Sequence, residues 1–157
     1  MSAAQTEIRS VLSDLMLLAP TGYAAALHIN FTTPDFLFQT YPTVWLAIYS
    51  QRGLVMKDPT VLWGFENLGT VRWSDLASLD HDGVMKEATK YGMKYGLTVA
   101  VEQDGTRSIA SLSRADREFA DDELVQAAAM ISKLHDLTAL TRTLTDETRA
   151  ILRRKSI

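Results

Sequence analysis

Three aromatic residues, Tyr41, Trp45 and Tyr49, recur at four-residue intervals, and Asp58-Pro59 follows nine residues after the last of them. On a helix this spacing lines the side chains up along one face. Burying such a row takes three polar tips into the interior along with three rings. An indole N–H only donates, a phenol donates or accepts, and a carboxylate such as Asp58 only accepts. Two readings are open at this point. The stripe can be plain core, with Asp58 the N-cap of a helix and Pro59 its first residue. Alternatively, the same groups can face a small ligand, and one with two carbonyls and an amide N–H would satisfy the set.

The 157 residues fit one domain with a single core. With 46% hydrophobic residues and no low-complexity run, the chain reads as soluble and globular. It contains no apolar run of the roughly 18 residues that span a bilayer, and the N-terminus lacks the pattern of a signal peptide. The expected location is therefore the cytoplasm. The absence of cysteine excludes disulfides, thiolate nucleophiles and Cys-ligated zinc. Net charge is −3, but the stretch from Arg142 onward carries five basic residues against Asp146 and Glu147. The body is thus acidic and has no electrostatic footprint for nucleic acid.

Periodicity predicts a first helix over residues 4–18, with Ile8, Val11, Leu12, Leu15 and Leu18 on one face. Alternation from Tyr23 to Phe31 predicts a strand with Tyr23, Ala25, Leu27, Ile29 and Phe31 inward and His28 on the opposite face, partly exposed or internally bonded. Residues 32–35 should turn the chain into a short strand, Phe36-Leu37-Phe38. The helix carrying Tyr41, Trp45 and Tyr49 should have Pro42 in its first turn and end near Gly53. A short helix from Asp58-Pro59 to Phe65, a capped turn after Trp73 and a helix from Asp82 to Lys90 follow. Residues 97–102 and 107–113 read as a hairpin around Asp104-Gly105, and Ala115–Leu144 reads as one long helix. The fold class is α+β, an α/β/α sandwich whose central, mostly antiparallel sheet has about five strands with helices on both faces.

Tyr41, Trp45, Tyr49, Asp58-Pro59 and Trp73, together with Tyr95-Gly96-Leu97-Thr98 and Ala110-Ser111-Leu112-Ser113, resemble the autoinducer-binding domain of LuxR-type quorum-sensing regulators. The similarity runs over nearly the whole chain, with a departure at Ala100, where many relatives have proline. It implies an enclosed pocket for an N-acyl-homoserine lactone and no other cofactor. It assigns Trp45 to the lactone carbonyl, Asp58 to the amide N–H, and Tyr41 with Ser111 to the acyl-side carbonyl oxygens. Tyr49 and Trp73 are expected as apolar walls, and Ala88, Met93 and Thr98 match positions bordering the lactone or acyl chain.

The resemblance further implies a homodimer formed through the long C-terminal helix. Residues 1–141 correspond to the binding domain. Residues 142–157 form a basic tail resembling the truncated start of a helix-turn-helix domain, too little for DNA binding by this chain alone. The chain is then a domain cut from a longer regulator or a solo domain able to pair with a complete relative. The alternative is an interaction protein that needs no ligand and inhibits a full-length regulator through mixed dimers. No Gly-x-Ser-x-Gly, His-Glu-x-x-His, P-loop or dinucleotide motif is present, and His28, His81 and His135 lack metal-ligand spacing. An enzyme is not expected.

Overall fold

The computed structural model describes residues 2–155, with side chains through residue 141. Helix α1 (Ala3–Leu18) opens with a capping box, in which Ser2 Oγ accepts from the Gln5 N–H and Gln5 Oε1 accepts from the Ser2 N–H. Five strands follow in the order of the chain: β1 (Gly22–Asn30), β2 (Thr33–Gln39), β3 (Gly69–Arg72), β4 (Tyr95–Gln103) and β5 (Thr106–Arg114). They form one antiparallel sheet ordered β2-β1-β5-β4-β3. Helices α2 (Thr43–Gln51), α3 (Pro59–Glu66) and α4 (Val84–Ala88) carry the small-helix layer, and α5 (Asp121–Lys155) closes the fold. The α/β/α expectation is met. Expectations about the basic side chains from Arg142 onward lie outside the described residues.

The sheet separates two apolar layers. On one face Val11, Leu15 and Leu18 of α1 and Ala127, Ile131 and Leu134 of α5 pack on Tyr23, Ala25, Leu27, Leu97, Val99 and Leu112. Beside the small helices a second cluster holds Trp45, Leu54, Trp73, Val84, Ala88 and Met93. Full burial of each large side chain contributes about 1.5–3 kcal/mol.

Strand β1 departs from simple alternation. Its pairing with β5 shifts register between Ala26 and Ile29, and His28 takes a left-handed φ of 54°. The extra residue turns Leu27 and His28 toward the same layer. His28 is therefore fully buried beside α5, where its ring bonds Thr106 Oγ1 at 2.9 Å and the His135 carbonyl and Thr138 Oγ1 at 3.0 Å each. Beyond the bulge Ile29 faces the small helices, while Phe31 joins Thr32 in the turn and is 98% exposed. This corrects the inward row drawn through Ile29 and Phe31, and it moves the turn ahead of Pro34. Pro34 is tolerated in β2 because that strand is a sheet edge. Replacing His28 with leucine keeps the volume but removes the three hydrogen bonds of its ring. Urea unfolding should show a loss of about 2–3 kcal/mol.

Two helices begin later than periodicity suggests, and α5 runs on past Leu144 to Lys155. Gly83, at φ 71°, delays α4 to Val84, and residues 89–91 tighten into a 3-10 turn before Gly92. Helix α5 begins at Asp121 because Arg72 holds the Phe119 carbonyl and Glu123 accepts from the Ala120 N–H, fixing residues 115–120 as a loop. Asp121, Asp122 and Glu123 then occupy its first turn, where the helix dipole favours negative charge.

Candidate functional site

Between the sheet and the small helices lies a cavity of about 510 Å³. Its floor is the face of β1 carrying Ala24, Ala26 and Ile29, together with Ile109 and Ser111 of β5. Small side chains at Ala24 and Ala26 leave the volume open. The six residues of strand from Ala24 to Ile29 make this floor roughly 15 Å long. Val61 and Phe65 of α3 and Leu37 of β2 enclose the Ile29 end, and Leu37 and Phe65 are exposed at their outer edges. The cavity wall is mostly apolar, with Thr32, Gln39 and Ser50 as further polar members besides Ser111, Asp58 and Thr60.

Pro42 is the N-cap of α2, so Tyr41 precedes the helix, and only Trp45 and Tyr49 of the expected row lie on it. The proline supplies the fixed φ at the N-cap, so the helix starts at Thr43, two residues later than the stripe suggests. Tyr41 nevertheless lines the same cavity, and its phenol donates to the Ser111 carbonyl at 3.2 Å. Trp45 is buried, with its ring 5.9 Å from that of Tyr49 and 5.6 Å from that of Tyr91. Among the described residues no group accepts from its indole N–H.

Asp58 follows a 3-10 turn, residues 54–57, that Gly53 opens with a left-handed φ of 59°. It is the N-cap of α3 and a wall of the cavity at once. Oδ1 accepts from the Thr60 N–H at 2.9 Å and from Thr60 Oγ1 at 2.7 Å, while Oδ2 accepts from the Tyr49 phenol at 2.8 Å. Burial raises its pKa above the ordinary carboxylate value, against the lowering effect of these bonds. Burial also pushes the Tyr41 and Tyr49 phenols well above their usual range, and the Asp58 charge adds to this. Both phenols therefore remain donors at neutral pH. Tyr49, expected as an apolar wall, contributes a polar contact as well.

Trp73 lines the cavity as expected, yet its indole N–H is also used and donates to Thr98 Oγ1 at 3.1 Å. Thr98 is fully buried and stands behind Ser111, its direct cross-strand partner, with the two hydroxyls 2.7 Å apart. Ala88 and Met93 are buried in the cavity wall. Thr98 alone of the nine expected residues lies outside the lining.

Thr60, Ala24, Ala26, Val61, Phe65 and Ile109 are cavity or carboxylate neighbours that the sequence reading passed over. The hydroxyl two residues after an N-cap aspartate was a usable signal for Thr60. The alanines between the large residues of β1 were a signal for a hollow facing that strand.

Among the described residues, Asp58 is the only charged one in the lining. The arrangement can take a largely apolar molecule with one polar end, offering it donors from Trp45, Tyr41 and Ser111 and an acceptor from Asp58. A cavity of this size falls within the range for small-molecule sites.

Residues 21–144 match the family model described as the autoinducer binding domain. Solved structures with the same fold include SdiA in complex with octanoyl-rac-glycerol, at TM-score 0.68 and 21% identity over 91% of this chain and 61% of that one. Escherichia coli SdiA aligns at 0.64 and 24%, over 90% and 62% of the two chains. The N-acylhomoserine lactone dependent LuxR family transcription factor CepR2 from Burkholderia cenocepacia aligns at 0.55 and 19%, over 88% and 94%. The chain thus spans about three fifths of the SdiA chains. A search of curated proteins finds no match. No helix among the described residues is long and apolar enough to cross a membrane.

Proposed function

The chain belongs to the autoinducer-binding domain family of LuxR-type regulators, signal receptors and not enzymes, and from that premise we propose that its cavity receives an N-acyl-homoserine lactone. The observation that carries this reading is the meeting of the Trp45 indole N–H, which has no protein acceptor among the described residues, with the Asp58 carboxylate at one end of an apolar cavity. Trp45 donates to the lactone carbonyl, Asp58 accepts from the amide N–H, and Tyr41 and Ser111 serve the acyl-side carbonyl oxygens. Ala88 and Met93 border the ring, and the acyl chain runs along Ala24 and Ala26 toward Ile29 and Leu37. Each methylene withdrawn from water there adds about 0.8 kcal/mol.

Apolar side chains left in solvent on the outer layer, Leu17 of α1 and Val125 and Leu140 of α5, support pairing of two copies through that layer. The site of action is the cytoplasm, where a freely diffusing acyl lactone meets a transcriptional regulator.

Thermal unfolding with a panel of acyl-homoserine lactones tests the reading. A ligand that binds only the folded state adds RT ln(1 + [L]/Kd), about 4 kcal/mol at a thousandfold excess over Kd. The midpoint should rise with acyl length until the Ile29 end is filled. Trp45→Phe should retain the ligand-free midpoint while weakening binding about tenfold, the worth of one hydrogen bond. Absence of a shift with every lactone, in protein shown by mass spectrometry to carry no co-purified ligand, would overturn the assignment.

A further inference from the structure

The hydrogen bonds behind the cavity have a direction. Trp73 Nε1 can only donate, so Thr98 Oγ1 accepts from it at 3.1 Å. The Thr98 hydroxyl then has one proton to place, and among the described residues Ser111 Oγ, 2.7 Å away, is its acceptor. Were Ser111 instead the donor of that bond, the Thr98 proton would be left unpaired in a fully buried position, at the full cost of desolvation. Thr98 therefore donates, and the Ser111 proton is released toward the cavity that Ser111 lines. Beside it the Tyr41 phenol donates to the Ser111 carbonyl at 3.2 Å.

The chain of donors is held in place by the sheet. Thr98 and Ser111 are register partners on β4 and β5, and the Trp73 indole lies against Gly96, which has no Cβ to displace it. The relay begins at a group that cannot accept, so it cannot run backwards.

We propose that Trp73 and Thr98 are positioning residues that orient the Ser111 hydroxyl as a donor, so that Ser111 presents its proton to one carbonyl oxygen of the ligand. The cavity at this point demands an acceptor. A ligand carrying a donor there, such as an N–H in place of the carbonyl, meets an opposed proton and is rejected. This inference rests on the lactone reading for its ligand, but the relay itself is a property of the protein.

Two measurements on the purified chain test it. The first is a double-mutant cycle with N-octanoyl-homoserine lactone as the probe, its acyl length taken from the octanoyl group held by SdiA. Ser111→Ala and Thr98→Val should each weaken binding about tenfold, and the double variant should be no weaker than about twofold beyond either, because both remove the same oriented proton. Thr98→Ser, which keeps the hydroxyl, should stay within about threefold of the parent. Losses that multiply to about a hundredfold would overturn the relay. The second is the indole N–H proton resonance of Trp73 in the ligand-free protein. It should move in Thr98→Val and move in the same sense, by less, in Ser111→Ala, since chained hydrogen bonds polarise one another. A Trp73 resonance indifferent to Ser111 would also overturn the proposal. If the parent protein binds no lactone, the lactone reading fails, and the resonance still decides the relay.

Discussion

Asp58→Asn should lower lactone affinity by roughly 10- to 100-fold while leaving the ligand-free domain as stable as the parent at pH 7, or more so. The loss follows from replacing a charge-assisted bond, worth about 1.5–3 kcal/mol, with an amide that offers the ligand N–H a weaker acceptor. The second half follows from linkage. Burial raises the folded pKa of Asp58 above the ordinary value of 3.8. A carboxyl of this kind contributes its stability below the unfolded pKa and loses it as pH rises through the folded pKa, because ionisation is then harder in the folded protein. At neutral pH, above the unfolded value, the buried acid at Asp58 therefore costs the ligand-free domain stability. Asparagine removes that burden and can still accept from the Thr60 N–H at the start of α3. Isothermal titration and urea unfolding on the same two proteins should thus move in opposite directions. Unchanged affinity would remove Asp58 from the amide contact, and a large loss of ligand-free stability would make it a structural cap alone.

Gly96→Ala should destabilise the fold by about 3 kcal/mol and abolish measurable ligand binding. In most strands the same change helps, since glycine costs roughly 0.5–1 kcal/mol relative to alanine. Here a Cβ would fall within the Trp73 indole, touching Cδ2, Cε2 and Cε3. The ring is buried, so the overpacking penalty of about 1–3 kcal/mol applies near its upper end. Displacement would also break the 3.1 Å bond to Thr98. Trp73→Leu gives the control. In that background Gly96→Ala should cost less than about 1 kcal/mol by urea unfolding, because the two changes are coupled through one contact. Equal costs in both backgrounds would show that the glycine is required for its backbone and not for the ring.

Local signals carried much of this architecture. Turn chemistry at Asp104-Gly105 placed the β4–β5 hairpin, and Gly53 and Gly92 both stand at the left-handed positions expected after helices. Asp58-Pro59 was read both as a helix start and as a ligand contact, and the two are compatible because the N-cap carboxylate lies in the cavity wall. The failures are long-range. Nothing near His28 announces a bulge, which exists because β1 must match Arg107 on β5 after matching Ile109. The register that puts Thr98 opposite Ser111, by contrast, was within reach of the turn, since a two-residue loop at Asp104-Gly105 pairs positions equidistant from it. Tyr41 was assigned to the helix by spacing alone, although the Pro42 backbone begins that helix later. The family resemblance nominated nine site residues, and the structure gathers eight of them in one cavity lining.

The sheet that divides the molecule into two apolar layers also divides its cooperativity. The α1–α5 layer has a close-packed core of its own, whereas the layer of α2, α3 and α4 is built from short helices around a hollow. Elements with few buried contacts open at low free energy, independently of the rest. A molecule filling that hollow would therefore spend its binding energy on ordering one side of the protein. The opposite side would serve as a constant frame, and the presence of a signal would be written as the difference between a loose and a settled half.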